Sequence, residues 1–296
     1  MWLFFALLTP LFWAVVHVMD ARCVGDVFEK PWMGAVTSAV ASIVAFIPLP
    51  FLLLSFDWAI PDFSIILLAL AAGALIQISQ VFYFQSLKYS ESGIVAAYWN
   101  MVPAMLPFAS FFVMGTVFPT GKYFGMAVLI AASIGMCLVD SNLEARWKSF
   151  FLMFFASSLQ VILFLIEDHI FATIPFFTGF YLITVGLILT GVVPLASPPI
   201  FTLFRKNFSI LRRAATIFVG VEIINLCALF TSQKAIDLGE PSLVAAVEST
   251  IPAYTFFFST CLLILLPAYG DPLAKKNIKA KMILVCAMMV GVYLVA

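Results

Sequence analysis

Apolar residues are laid out along this chain in ten blocks of 17 to 26 residues, parted by short polar stretches that hold most of the charge. The blocks are Trp2–Met19, Trp32–Phe56, Phe63–Leu87, Gly93–Met114, Tyr123–Val139, Phe150–Ile166, Ile174–Ser197, Ala215–Gln233, Ser242–Pro267 and Lys279–Val295. A helix rises 1.5 Å per residue, so about twenty apolar residues cross the hydrocarbon of a bilayer. Each block is expected to be a transmembrane helix, and the chain an all-α polytopic membrane protein. The polar intervals Asp57 to Asp62, Lys88 to Glu91, Asp140 to Lys148, Arg205 to Arg213 and Asp271 to Lys279 are too short for a soluble domain.

Two of the blocks read almost alike. Glu91-Ser92-Gly93-Ile94-Val95-Ala96-Ala97 is followed by Pro103, and Glu240-Pro241-Ser242-Leu243-Val244-Ala245-Ala246 by Pro252. The acid, the aliphatic pair, both alanines and the proline all coincide at an offset of 149 residues in a chain of 296. Half-length self-similarity signals a duplicated unit, here 1–141 and 142–296 with five blocks each. An odd number of spans per unit inserts the second copy in the opposite sense, giving two inverted five-helix repeats. A proline inside a helix removes one hydrogen bond and presses on the carbonyl four residues back, which belongs to Trp99 for Pro103 and to Glu248 for Pro252. Matched broken helices in two halves point to a transporter's binding site.

Composition narrows the class. Hydrophobic residues make up 64% of the chain and charged residues 10%, with a mean hydropathy of +1.13, where a soluble domain carries about 25% charged residues. The net charge is zero and no basic run occurs, which argues against nucleic-acid binding. Cys23, Cys137, Cys227, Cys261 and Cys286 are scattered, with no CxxC pair to suggest a zinc site or a disulfide framework. Nothing basic precedes the run from Trp2 to Met19, so a spanning helix is expected there rather than a cleaved signal. Thirteen Lys and Arg fall after odd-numbered blocks, and only Lys122 and Lys234 after even ones, which places the odd loops in the cytoplasm. Gly121 and Gly125, four apart, offer a close-packing face.

Ionisable and amide groups within hydrocarbon are costly and so are the first candidates for function. Glu222 with Asn225 on one helical face, Glu248, and Gln77 with Gln80 are expected to line a polar cavity between the halves as a substrate or proton pathway. A carboxyl there can hold a proton that an incoming cation displaces. The alternative is a neutral glutamic acid hydrogen-bonded to a neighbouring helix, or to the carbonyl that Pro252 frees. Trp99, Tyr98 and Tyr254 near the kinks could stack on a ligand. His17 and Asp20 at the end of the first block, with Glu167, Asp168 and His169 at the end of the sixth, are candidate gates or interfacial caps. Lys88 and Lys234 end two blocks and reach toward the interface.

The chain resembles the EamA-type members of the drug/metabolite transporter superfamily. The resemblance is carried by Pro10-Leu11-Phe12-Trp13-Ala14, Gln85-Ser86-Leu87 entering the Glu91 motif with Pro103, Gly121-Lys122-Tyr123-Phe124-Gly125 with Gly135, the stretch Ala235 to Pro252, and Gly291-Val292-Tyr293-Leu294. One departure is Gly115-Thr116-Val117-Phe118, where members of the family usually carry an acid after the fourth helix. The resemblance implies a secondary transporter of the plasma or inner membrane, working by alternating access on small metabolites, amino acids or drug-like compounds. It implies no cofactor and allows proton coupling and a homodimer. A flippase or exchanger for lipid- or nucleotide-linked sugars could use the same fold. A membrane-embedded enzyme finds little equipment here, since the chain has two histidines and neither HExxH nor GxSxG. A channel would need rings of pore-lining charge that the pattern lacks.

Overall fold

The structure, a computed structural model, describes residues 1–26, 30, 32–90, 92–139, 147–213, 215–265 and 277–296. Glu91, the proposed unit boundary at 141–142 and the connections 140–146 and 266–276 lie outside the described residues. The described chain is helical, with no strand. Its helices are α1 (Trp2–Asp26), α2 (Trp32–Ala41), α3 (Leu49–Ser55), α4 (Phe63–Leu87), α5 (Ser92–Trp99), α6 (Met101–Met114), α7 (Thr120–Leu138), α8 (Trp147–Thr173), α9 (Phe176–Val192), α10 (Pro198–Arg213), α11 (Ala215–Leu238), α12 (Pro241–Glu248), α13 (Ile251–Leu265) and α14 (Ile278–Val295). Tighter 3₁₀ turns at Ser42–Phe46 and Val193–Ala196 continue α2 and α9.

Among the described residues, seven helical stretches are long and apolar enough to cross a bilayer: Phe63–Leu87, Ala97–Met114, Thr120–Leu138, Trp147–Thr173, Phe176–Ala196, Ala215–Leu238 and Ile278–Val295. An eighth is possible if Trp32–Phe46 and Leu49–Ser55, bent by 46°, form one span. Besides that bent second block, three of the expected blocks look different in three dimensions. The apolar part of the first is only Trp2–His17, although the helix itself continues to Asp26. The fourth is divided between α5 and α6, and the ninth between α12 and α13.

Polarity is distributed inside out relative to a water-soluble protein. Phe112 is 80% exposed and Ile283 68%, whereas Glu167 is 1% and Gln233 0% exposed. Apolar exteriors around buried amides and acids are what a hydrocarbon solvent selects, since no water is available to satisfy polar groups outside. The fold is that of a multi-pass membrane protein.

Four helix contacts dominate: α4 against α8, α4 against α9, α1 against α11, and α7 against α14. Small residues set the closest of them. A Cβ on Gly73 of α4 would fall 2.0 Å from the Ile183 carbonyl oxygen of α9, and one on Gly186 would fall 2.3 Å from that of Leu70. The α7–α14 crossing uses Gly125 and Gly291, each of whose added Cβ would lie 3.1 Å from the other's carbonyl. Gly121, expected to share that face with Gly125, has open space around it. Between α1 and α11 the hydroxyls of Thr9 and Thr231 hydrogen-bond at 3.0 Å.

The interval from Arg205 to Arg213, expected to be a loop, is helix α10. Ile200, Leu203, Phe204, Asn207 and Leu211 turn inward, while Arg205, Lys206, Ser209 and Arg212 are exposed. A helix with one cationic and one apolar face suits the membrane interface, and its charge placed it outside any spanning pattern.

Candidate functional site

The two proline-containing blocks break at matching places. In the first, α5 ends at Trp99, Asn100 forms the turn and α6 begins at Met101. In the second, α12 ends at Glu248, Ser249 and Thr250 form the turn and α13 begins at Ile251. The helix ends Trp99 and Glu248 are again 149 residues apart. Pro103 and Pro252 cannot donate to the carbonyls of those last residues, so the helix stops there. Side chains close the turns: Asn100 Nδ2 donates to the Ala97 carbonyl at 3.3 Å, Ser249 Oγ to that of Ala246 at 2.6 Å and Thr250 Oγ1 to that of Val247 at 2.8 Å.

Both breaks border one wall of a two-lobed cavity. The larger lobe has a cavity volume of about 120 Å³ and the smaller about 40 Å³. Trp13, His17, Trp99, Gln160 and Phe164 line both lobes. Asp20, Gln80, Glu167, Glu222 and Asn225 line the larger one. Glu248, Asn100, Pro103, Ser249 and Pro252 line the smaller. The larger lobe reaches within a turn of the ends of α2 and α11, at Gly34 and Phe218. Toward the opposite helix ends Phe171, Phe176, Phe180 and Phe230 fill the interior, with Phe176 and Phe230 centroids 5.3 Å apart.

Glu222 is the best-connected acid. Ser38 Oγ donates to its Oε2 at 2.7 Å, and Ser42 Oγ and Asn225 Nδ2 to its Oε1 at 2.7 and 3.1 Å. Ser42 Oγ also lies 3.0 Å from the Ser38 carbonyl. A hydroxyl has one hydrogen and two lone pairs. Ser42 can therefore donate to an ionised Glu222, or turn its hydrogen to the Ser38 carbonyl and accept from a protonated one. The network accommodates a proton on Glu222 without any helix moving. Glu167 accepts from Gln233 Nε2 at 2.6 Å. Glu248 sits beside Ser232, and its Oε1, on a side chain 6% exposed, has no hydrogen-bond partner.

Several expected site residues are placed elsewhere. Gln77, expected beside Gln80 in the cavity, is a bridge: its Nε2 donates to the Ala35 carbonyl at 2.8 Å and it lies against Gly191. Gln80 is one helical turn further on and does line the larger lobe. Tyr98 stands edge-on to Phe150, 5.5 Å away, outside both lobes. His17 and Asp20, expected at a helix end, are inside α1 because that helix runs a further turn and a half to Asp26. Asp168 and His169 line neither lobe, since α8 continues to Thr173 and turns Glu167 inward in their place. Ser38, Ser42, Trp13, Gln160 and Ser232 were not singled out by the sequence. The pair Ser38 and Ser42, one helical turn apart in an otherwise apolar block, was the available signal.

No protein-family model and no curated protein matches the chain. Among solved structures 28 chains match. One, described only as "Crystal structure of protein", superposes with a TM-score of 0.64 over 99% of this chain and 96% of that one, at 13% identity. At that identity the likeness is one of fold.

Proposed function

We propose that the chain is a secondary active transporter of the drug/metabolite transporter type, in the plasma or inner membrane. In this reading ten spans form two inverted five-helix units, 1–141 and 142–296, and the cavity between them alternates its access. One observation carries the reading. Two half-chain-related helices, each broken ahead of a proline, meet at a single buried cavity edged by Glu248 and Trp99. Broken helices around a polar pocket near mid-span are the construction of a carrier site. Packing supports the duplication: exchanging the halves turns the α4–α8 contact into the α11–α1 contact, and both are among the most extensive. Glu222 with its serines supplies a place to load a proton, so the cycle is compatible with proton coupling.

The lining residues near one membrane face, and the phenylalanines near the other, fit a conformation open toward the basic loops. Reconstitution into liposomes tests the reading. Saturable flux of labelled amines or amino acids, accelerated by substrate on the far side, is expected, with large losses in Glu222→Gln and Glu248→Gln at unchanged protein level. Conductance far above carrier turnover, or full activity in both variants, would refute it. A catalytic role is not part of this proposal, and no cofactor enters it.

A further inference from the structure

We propose that the cavity binds an organic cation, an amine or quaternary ammonium with an apolar body of aromatic size. This deepens the carrier reading, on which its transport step rests, whereas its binding step rests on the cavity alone.

Charge comes first. Asp20, Glu167 and Glu222 line the larger lobe and Glu248 the smaller, while no Lys or Arg among the described residues lines either. His17 is the one lining side chain able to carry a positive charge. A carboxylate on the cargo would face these acids with no guanidinium or ammonium to receive it, which disfavours anions and zwitterions.

The second observation is independent of charge and concerns what the cavity lacks. Buried polar atoms are nearly always hydrogen-bonded, so an exception calls for a partner. Among the described residues every buried side-chain atom without a partner is an oxygen. Four of these edge the cavity: Glu248 Oε1, Gln80 Oε1 and the hydroxyls of Thr37 and Ser133. The glutamate oxygen and the amide oxygen are acceptors awaiting a donor. The acids differ in this respect. Glu222 already has three donors and Glu167 has Gln233; Glu248 is hydrogen-bonded by Ser232 yet keeps an open acceptor at Oε1.

The third is the wall. Trp13, Trp99 and Phe164 are shared by both lobes. Tyr83 lies 5.9 Å from Trp99 and 5.7 Å from His17, ring centre to ring centre. Aromatic faces attract a desolvated ammonium and accept an apolar body at once. A bare metal ion fits poorly, because among the described residues no three His, Cys, Asp or Glu side chains converge on one point.

The test is equilibrium binding to the purified full-length chain in detergent. The probes are 2-phenylethylamine, its trimethylammonium analogue, 2-phenylethanol, 3-phenylpropionate and phenylalanine. Both cations are expected to bind saturably and to displace one another, with the alcohol, the acid and the amino acid weaker by about tenfold or more. Glu248→Gln should weaken the cations by about tenfold, and Tyr98→Phe, outside the cavity, should leave them unchanged. The ranking of the five probes on the unmodified chain stands whether or not the glutamine variant folds. Absence of cation binding, or equal affinity for the alcohol or the acid, overturns the proposal. Cation binding without flux in liposomes would instead defeat the carrier reading and leave this one intact. Flux of an acid or a neutral compound with no cation binding would do the reverse.

Discussion

Replacing Gly73 by alanine adds a single methyl group at the closest glycine contact among the described residues. Its Cβ would fall 2.0 Å from the Ile183 carbonyl oxygen, 2.4 Å from the Leu187 nitrogen and 2.8 Å from the Gly186 carbonyl carbon. Ordinary contact begins at 3.4 Å, so α4 and α9 would have to part by about 1.4 Å along that direction. All three atoms are main chain, and no side chain can rotate away. Overpacking typically costs about 1 to 3 kcal/mol, and a backbone-on-backbone clash belongs at the top of that range. Gly220 is the internal control: it is exposed on α11 with nothing within 4 Å of an added Cβ. Alanine there should be neutral or stabilise by up to about 1 kcal/mol through helix propensity. Thermal melting of the two purified variants in the same detergent reads the difference. Because α4 also carries Gln80 and Tyr83 into the cavity, Gly73→Ala should weaken ligand binding as well. Equal melting temperatures for Gly73→Ala and Gly220→Ala would mean that the α4–α9 contact is looser than described, and the argument for a rigid cavity wall would fail with it.

Three further outcomes are expected. Ser42→Ala leaves Glu222 Oε1 with Asn225 alone and should lower stability by about 1 kcal/mol while moving the pH midpoint of transport, whereas loss of stability with an unmoved pH profile would leave Ser42 a packing residue. Gln77→Leu removes the donor to the Ala35 carbonyl and should cost about 1 to 3 kcal/mol in melting experiments without changing substrate selectivity, and a change in selectivity would return Gln77 to the site. Phe230→Ala opens a gap among Phe176, Phe177 and Phe180. It should destabilise by about 3 kcal/mol and let a membrane-impermeant thiol reagent reach a cysteine placed at Ser232 from the side away from α10. Labelling no faster than in the parent would show that the aromatic cluster is not the seal.

Long-range pattern carried much of this architecture. Block length marked where most spanning helices lie, because hydrocarbon thickness leaves little freedom in helix length. Proline spacing located both helix breaks, since a missing N–H acts at a fixed distance along the chain. Side-chain direction was less legible. Gln77 and Gln80 share a helical face, yet one meets a neighbouring backbone and the other the cavity, a difference set by how closely α2 and α9 approach. Glu167 was overshadowed by Asp168 and His169 because three adjacent polar residues do not reveal which one turns inward. Helix α10 escaped notice because a ruler for spanning segments does not see a helix lying along the interface.

Under the proposed duplication the cavity acids occur once each. At the offset of 149 residues Glu222 corresponds to Gly73, Glu248 to Trp99, Asp20 to His169 and Glu167 to Val18. The Gly73 exchange shapes the cavity. Where glycine stands, α4 and α9 touch backbone to backbone; at the corresponding contact of α11 with α2, a carboxyl and two serine hydroxyls fill the space, and Glu222 and Ser38 line the larger lobe. The Trp99 exchange divides labour within the smaller lobe, one helix break supplying an indole and the other a carboxyl. Were both breaks acidic, two like charges would stand in one apolar pocket and each would disfavour the other's ionised form. An aromatic face opposite a single carboxyl avoids that repulsion and leaves a pocket whose two walls favour the same ligand, a cation with an apolar body.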